Sequence, residues 1–265
     1  MEDFPAVLTN PESMSEQEKY FFDLWGFLVV KQALSPEQVA ALNALVDEKL
    51  VEESASGKTS HRFGRCLEWG PQTREVIANP RLTPYLAELI GPRARLDHDY
   101  LDVILKPGLG PIGATLHGGG TPFDAGQFYR FSEGRMYNGL TVVAYALKDC
   151  RPGDGGFACV PGSHKSNYCL PSEWANMANG LAEVVRPVPC EAGDAVIFTE
   201  ALTHGTLPWS STQQRRTLFF KYHTHQSAWG AHSYDPHAHP DLTIEAQRML
   251  EGPNARYGGR KGGVD

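Results

Sequence analysis

The sequence lacks several features that define large classes of protein. No stretch approaches the roughly 18 consecutive apolar residues that a membrane-spanning helix needs. Acidic residues outnumber basic ones by 31 to 24, which gives a net charge of −7 and no electrostatic footprint for a nucleic-acid polymer or an anionic membrane. The five cysteines are odd in number, scattered and without a CxxC pair, so the sequence indicates neither a disulfide framework nor a zinc knuckle.

The segment Met1–Pro5 is acidic and lacks the apolar core of a secretory signal, so we expect a cytoplasmic protein. A length of 265 residues with 41% hydrophobic and 21% charged residues is typical of a globular enzyme. We expect one domain over residues 1–265, with a helical part at about 12–92 and a barrel at about 95–226. A loop-rich C-terminal tail follows, and its glycine-rich stretch 257–263 is expected to be mobile.

Helix signals are concentrated in the first third of the chain. Ser15 and Glu18 form a capping-box pattern ahead of a helix that Gly26 ends. Ser35–Gln38 supplies an N-cap, a first-turn proline and an N3 glutamine for a second helix, which the apolar spacing continues to about residue 52. A third helix is predicted from about Pro84 to Ile90.

Beyond Arg95 the chain changes to short apolar runs separated by Gly, Pro and Asp turns. Such runs are typical of a β-sandwich or barrel, with the early helices packed outside it. The predicted strands are Phe27–Val30, Tyr100–Lys106, Leu140–Leu147, Phe157–Val160, Val184–Val188, Ala195–Thr199 and Thr217–His223.

Two of the ten histidines, His117 and His204, each follow a predicted strand and precede a glycine. Ligands that point inward from neighbouring barrel strands are usually far apart in sequence, as these are, and Arg215 follows the second by eleven positions. This pattern is typical of a non-haem iron site that uses 2-oxoglutarate, which usually adds a carboxylate two residues after the first histidine. Here that residue is Gly119. His239–Asp241 has the His-x-Asp spelling, but it follows all the predicted strands and is expected to take no part.

Several segments, in their order and spacing, resemble the phytanoyl-CoA dioxygenase family of iron(II)/2-oxoglutarate-dependent oxygenases. The resemblance runs from about Phe22 to Tyr222. The segments that carry it are Gly26–Val30, Leu34–Glu37, Lys106–Pro107, Gly155–Lys165, Gly193–Phe198 and His204–Thr206. It implies a mainly β fold, a double-stranded β-helix or jelly-roll barrel with N-terminal α-helices outside. It also implies Fe(II), 2-oxoglutarate as cosubstrate, and O2.

The same resemblance implies roles for matching residues. His117 and His204 take the two imidazole positions on iron. Arg215 matches the arginine that pairs with the distal carboxylate of 2-oxoglutarate, a task that suits a planar guanidinium. Thr206 matches a hydroxyl residue that often shares this carboxylate. Arg216 is the adjacent alternative, and because strand residues alternate in direction only one of the two arginines faces the interior.

Other candidate contacts surround the first histidine. Asn138 and Tyr137, on the following strand, are candidate cosubstrate contacts, although an ordinary role in the sheet is as well supported. The stretch Phe123–Met136 is rich in rings and positive charge, which suits a small anionic metabolite such as a nucleotide and suits a packed lid equally well. The candidate substrate contacts are Phe128, Arg130, Arg135 and Trp209.

Gly119 in place of the usual aspartate has three explanations. In the first, chloride takes the vacant position and the protein is a radical halogenase that chlorinates an unactivated C–H bond; this is the function we expect. In the second, Glu200 or Asp124 replaces the missing acid and the protein is a hydroxylase, with Glu200 the better candidate. In the third, the protein is a non-catalytic metal- and 2-oxoglutarate-binding module, against which the intact Arg215 and Thr206 argue. The oligomeric state is left open.

Overall fold

The computed structural model describes residues 13–53, 57–231 and 233–255. The α-helices are α1 (Glu16–Trp25), α2 (Pro36–Glu52), α3 (Pro71–Arg74), α4 (Thr83–Ile90) and α5 (Ile244–Leu250). The strands are β1 (Phe27–Val30), β2 (Ser60–Gly64), β3 (Arg95–Ile104), β4 (Tyr129–Ser132), β5 (Arg135–Asn138), β6 (Thr141–Ala146), β7 (Gly156–Cys159), β8 (Arg186–Pro187), β9 (Ala195–Thr199), β10 (His204–Leu207) and β11 (Arg215–His223). No helix in these described ranges is long and apolar enough to cross a membrane.

The strands form antiparallel sheets of unequal size. The larger sheet has six strands in the order β1-β9-β6-β11-β3-β2, and a smaller one has the order β10-β7-β8. β4 and β5 make a separate hairpin. The chain is therefore mainly β, a cupin-like jelly roll with helices, as the sequence predicted.

The larger sheet has one face toward the helices and one toward the smaller sheet. On β11, Leu218 and Phe220 belong to the main core together with helical side chains such as Phe22 and Leu42. Phe219 points the other way, into a second core between the two sheets. Because side chains alternate along a strand, this assigns every β11 residue either to the helix side or to the barrel interior.

The predicted helices are confirmed. The Ser15 hydroxyl accepts from the Glu18 amide at 3.2 Å, and the Glu18 carboxylate accepts from the Ser15 amide. Gly26 ends α1 in the left-handed region, with φ of 83°. Ser35 caps α2 in the same reciprocal way, and α4 begins one residue before the predicted start. Local capping chemistry therefore determines these helix ends.

Some elements differ from the sequence prediction. β3 begins at Arg95 rather than Tyr100, because Asp97 is buried in a strand that the sequence makes look polar. Asp97 is satisfied there by Arg95 and by the amides of Trp229 and Gly230. β2, β4, β5 and β10 are not among the strands that the sequence predicted. The C-terminal segment contains α5, capped by Thr243, rather than loop alone. The glycine-rich stretch 257–263 lies outside the described residues.

Candidate metal and cosubstrate site

His117 and His204 are neighbours in space although 87 positions separate them in the chain. They form an antiparallel bridge in which each amide donates to the other residue's carbonyl, both at 2.9 Å. The centres of their imidazole rings are 4.3 Å apart. The backbone pairing therefore fixes the spacing of the two rings before any ligand is bound.

Both imidazoles are oriented by main-chain carbonyls. Nδ1 of His204 lies 2.7 Å from the carbonyl of Leu202, and Nδ1 of His117 lies 3.2 Å from that of Thr115. Since a carbonyl only accepts, each Nδ1 carries the proton and each Nε2 keeps a free lone pair. Burial lowers the pKa of His204 to about 4, so this ring is neutral near pH 7. Two Nε2 lone pairs on adjacent rings fit a divalent metal.

The glycines after His117 allow the chain to pass close to the second histidine segment. A Cβ atom on Gly118, which has φ of +80°, would lie 2.6 Å from the carbonyl oxygen of Leu202. A Cβ atom on Gly119, which has φ of +115°, would lie 3.0 Å from Oγ1 of Thr203. A side chain at position 119 would therefore start in close contact with the Thr203 hydroxyl.

Glu200 supplies a carboxylate beside the two histidines. Its Oε2 lies 4.0 Å from Nε2 of His204, and its Oε1 accepts from Nζ of Lys221 at 2.5 Å. Glu200 is buried, and burial raises its pKa, but Lys221 and the neighbouring imidazoles outweigh this effect and lower the pKa to about 2. The carboxylate is therefore ionised, and one of its oxygens faces His204 while the other is held by Lys221.

The arrangement is a pair of histidines with an acid beside it rather than a closed set of ligands. Within the ranges that the structure describes, no three His, Cys, Asp or Glu side chains are arranged to hold a metal ion as they stand. Asp124, the other acid considered, accepts from the amides of Gly126 and Gln127 in its own turn. The described residues thus offer His117 and His204 as ligands, and Glu200 as the acid nearest to them.

The two adjacent arginines have different surroundings. Arg216 points to the helix side, where Asp47 accepts from it at 2.5 Å and Asn43 and Gln214 also accept. Arg215 points into the barrel, and its Nη1 is buried without a hydrogen-bond partner among the described residues. A buried guanidinium N–H without an acceptor is costly, and a carboxylate would remove that cost. Arg215 therefore fits the distal carboxylate of 2-oxoglutarate.

Thr206 lies at the Arg215 end of the barrel. It is two residues beyond His204, hence on the same side of β10. Its methyl carbon and the side chain of Ile104 lie 3.5 and 3.4 Å from the Cβ position of Gly110. Ile104 is the register partner of Arg215 on the neighbouring strand. Ile104 therefore lies beside Arg215 on the sheet, and its side chain and that of Thr206 both pack at Gly110.

The structure does not bring Asn138, Tyr137 or Trp209 to the histidine pair. Asn138 donates to the carbonyl of Leu89 on α4, and Tyr137 is 42% exposed on the hairpin. Trp209 was expected as a substrate contact, but it is only 2% exposed and its indole donates to the carbonyl of Gln213. Its large apolar ring packs with Ile104 and Cys150 in a small core cluster, so this expectation is corrected.

The three remaining substrate candidates line two surface cavities. Phe128 and Arg135 line a cavity of about 430 Å³ between α4, the hairpin and residues 224–227. Arg130 lines another, of about 380 Å³, together with Asp23. Neither cavity includes His117 or His204 in its wall.

The family model for phytanoyl-CoA dioxygenase (PhyH) matches residues 22–217. The chain belongs to this family. It thereby belongs to the iron(II)/2-oxoglutarate oxygenase superfamily. A curated relative, the dioxygenase lolE1 of Epichloe uncinata, is 24% identical over 266 residues, which cover 94% of each chain.

Solved structures show the same fold. HygX from Streptomyces hygroscopicus, crystallised with nickel and 2-oxoglutarate, aligns with a TM-score of 0.72 at 22% identity, covering 80% of this chain and 88% of HygX. The carbocyclase SnoK from nogalamycin biosynthesis aligns with a TM-score of 0.61 at 20% identity, covering 83% of this chain and 88% of SnoK. At these identities the likeness concerns the fold.

Sequence reasoning missed a group of aromatic and charged side chains on β2, β3 and β11, of which Arg62 is exposed. The Tyr100 ring on β3 stacks on the Phe219 ring on β11, with their centres 4.7 Å apart. The guanidinium of Arg62, on β2, lies 4.1 Å from the centre of the Tyr100 ring. Arg62 also makes a two-pronged ion pair with Asp102. Lys221, on β11, belongs to the same group, with its Nζ 5.4 Å from the centre of the Tyr100 ring. The alternation of side-chain direction along Leu96–Ile104 could have identified these residues, but only if the start of β3 had been predicted correctly.

Proposed function

We propose that this protein is an iron(II)/2-oxoglutarate-dependent oxygenase that hydroxylates an unactivated C–H bond of a small organic molecule. The observation that carries the proposal is a barrel interior with two oriented imidazole Nε2 atoms and a buried, unpartnered guanidinium nitrogen of Arg215. One end suits a metal and the other suits a carboxylate. A chelating 2-oxo acid with a distal carboxylate meets both requirements.

Each residue has a defined task in this proposal. When bound, iron(II) with 2-oxoglutarate and O2 supplies the oxidising chemistry. His117 and His204 would hold the metal, and their carbonyl partners keep both rings in the required tautomer. Arg215 would bind the distal carboxylate and so orient the cosubstrate. Lys221 holds Glu200 ionised beside His204.

Glu200 supports hydroxylation rather than chlorination. It sets an ionised carboxylate 4.0 Å from Nε2 of His204, where its negative charge favours a metal cation and opposes chloride. Glu200 thus takes the part of the acid that the family usually places two residues after the first histidine.

Chlorination is the second candidate, and one observation favours it. Oε1 of Glu200 is occupied by Lys221, so the carboxylate is partly neutralised. If Glu200 stays with Lys221 when the metal binds, the two histidines are left without an acidic ligand, as halogenation requires.

A small-molecule substrate is supported by relatives and by the surface. HygX has been crystallised with hygromycin B, and SnoK acts in nogalamycin biosynthesis. A cavity of about 420 Å³ that Gly119 and Thr203 line adjoins the two histidine segments, and its volume suits a small metabolite.

The test is turnover of iron-loaded protein with 2-oxoglutarate, O2 and a panel of small metabolites, with and without chloride. We expect succinate release coupled to a product that has gained one oxygen atom, and no dependence on chloride. A chlorinated product would favour the second candidate. Failure to release succinate with any substrate, despite 2-oxoglutarate binding, would favour a non-catalytic binding module.

The role of Glu200 is tested in the same assay. Glu200→Gln keeps the shape and an acceptor for Lys221 but removes the charge. We expect iron affinity about 10- to 100-fold weaker, in the range seen when groups that support a metal site are changed. Glu173→Gln, at an exposed position, is the matched control and should bind iron like the wild type.

A further inference from the structure

Cys150 and Cys190 face each other across a backbone bridge outside the named strands. The amide of Cys150 donates to the carbonyl of Cys190 at 2.8 Å, and the reverse bond is 3.0 Å. A pair that exchanges both bonds has its Cα atoms about 5.5 Å apart. This spacing lies inside the range that disulfides occupy. Both cysteines are free thiols in this structure.

The pair lies against the arginine assigned to the cosubstrate. The Cβ position of Gly156 is 2.6 Å from Sγ of Cys150 and 3.4 Å from Nε of Arg215. The sulfur and the guanidinium are therefore separated by no more than the sum of these two distances. Ile104 and Trp209 complete the small apolar cluster that contains Cys150, with Cys190 packed against it.

The two thiols are chemically unequal. A hydrogen bond from the Cys190 thiol lowers the pKa of Cys150 against the opposing effect of burial, and the positive charge of Arg215 lowers it further. Cys190 is partly exposed, which gives a small oxidant a route to the pair. Cys66 and Cys159, in contrast, are buried and have raised pKa values. Cys150, although buried, has a lowered pKa, and its partner Cys190 has a raised pKa but is partly exposed, so thiolate character and access are divided between the two members of the pair.

We propose that Cys150 and Cys190 are a peroxide-sensitive dithiol whose oxidation to a disulfide weakens the binding of 2-oxoglutarate at Arg215. The part concerning 2-oxoglutarate rests on the proposed function. The part concerning the disulfide does not.

The chemistry is a two-electron oxidation by hydrogen peroxide. The Cys150 thiolate attacks one peroxide oxygen, the O–O bond breaks, and a sulfenic acid on Cys150 and a hydroxide ion form. The hydroxide takes up the proton that the Cys150 thiol released and becomes water. The Cys190 sulfur then attacks the sulfenic sulfur, the S–O bond breaks, and a second water leaves with the Cys190 proton. In sum, two thiols and one peroxide give one disulfide and two waters.

A structural consequence follows for Arg215. The Cys150 thiol donates to the carbonyl of Gly155 at 3.1 Å. A disulfide sulfur carries no proton, so oxidation removes this hydrogen bond, and the new S–S bond draws the Cys150 sulfur toward Cys190. Gly156, which packs between Cys150 and Arg215, loses its support on one side. The guanidinium then no longer has a fixed position for a bidentate carboxylate.

The experiment uses the full chain loaded with nickel(II), which binds the cosubstrate without turnover. Reduced and peroxide-treated samples are compared by peptide mass spectrometry and by calorimetric titration with 2-oxoglutarate. We expect a peptide that links Cys150 to Cys190, and a dissociation constant for 2-oxoglutarate raised about tenfold, the equivalent of one charge-assisted hydrogen bond. Dithiothreitol should reverse both changes.

Variants separate the possible outcomes. Cys190→Ser should give no cross-link and no peroxide effect, whereas Cys169→Ser, at an exposed position, should behave like the wild type. Absence of the linked peptide overturns the proposal. A linked peptide with unchanged affinity overturns the coupling to Arg215. If the reduced protein does not bind 2-oxoglutarate, the proposed function and the coupling both fail, while a linked peptide still establishes the dithiol.

Discussion

Arg215 and Arg216 are adjacent in the chain and point to opposite faces of the same strand. Arg216 is bound by Asp47 and Asn43 on α2, so it joins the sheet to a helix. Arg215 faces the barrel interior and keeps Nη1 unpaired within the described part of the chain. One arginine therefore serves the fold, while the other is available to a ligand.

This contrast predicts separable effects for Arg215→Lys and Arg216→Lys. A lysine cannot reproduce a bidentate pair, so Arg215→Lys should weaken 2-oxoglutarate binding about 10- to 100-fold with little change in stability. Arg216→Lys should lower the free energy of unfolding by about 1–2 kcal/mol and leave 2-oxoglutarate binding unchanged. Calorimetric titration and urea denaturation of both variants provide the test. A reversed pattern would reassign the two arginines.

The backbone at position 119 predicts that an aspartate there does not rebuild the usual iron triad. Gly119→Asp and Gly119→Ala should both lower the unfolding free energy by about 1–3 kcal/mol, because φ of +115° is unfavourable for any Cβ-bearing residue. Iron affinity should be equal in the two variants, since the new side chain starts toward Thr203. A much higher affinity for the aspartate variant than for its alanine control would contradict this geometry.

Lys221 predicts a further effect through Glu200. Lys221→Met removes the ammonium that holds one carboxylate oxygen at 2.5 Å, while it keeps a long side chain beside Tyr100. The lost cation should raise the pKa of Glu200 and shift the pH profile of iron binding to higher pH. Iron affinity measured between pH 5 and 8 tests this. An unchanged profile would mean that Lys221 has no influence on the charge at the site.

His164 predicts a pH-dependent contribution to stability away from the metal site. Its Nε2 lies 3.0 Å from the carbonyl of Asp23, and Nδ1 is buried without a partner in the described chain. Burial lowers the pKa of His164 to about 4. The unfolded chain binds a proton near pH 6.5 and the folded chain does not, so stability rises with pH between about 4 and about 6.5.

The measurement is urea denaturation of wild type and His164→Gln at pH 7 and pH 5. The wild type should lose about 2 kcal/mol more than the variant on acidification, because the variant lacks this proton-binding group. Glu200 and Asp97, whose pKa values are lowered, keep their contributions at pH 5 in both proteins. Equal losses would show that His164 does not titrate in this way.

The elements that the sequence predicted correctly are those whose ends or patterns depend on neighbouring residues in the chain. The capping patterns at Ser15 and Ser35 and the apolar run at Ala195–Thr199 coincide with helix starts and a strand in the structure. Elements stabilised by distant contacts were missed. The start of β3, for example, depends on the buried Asp97 and its partners more than one hundred residues away.

The candidate site also combines features that the sequence predicts with features that depend on distant contacts. Spacing and flanking glycines singled out His117 and His204, which the structure places side by side. The ion pair of Glu200 with Lys221 could not be predicted, because it depends on how β6 aligns β9 with β11. The left-handed backbone of Gly119, with φ of 115°, was not predicted either, because it belongs to the loop that follows His117.

The central claim is that the two bridged imidazoles bind a metal which 2-oxoglutarate then chelates. An anaerobic titration of Fe(II) and 2-oxoglutarate, followed by the visible charge-transfer band of their complex, tests it most directly. We predict a saturable band with one iron per chain for the wild type, and no band for His117→Ala or His204→Ala. His237→Gln, at an exposed position, should match the wild type. A band of wild-type strength in either alanine variant, or no band in the wild type, would contradict the account.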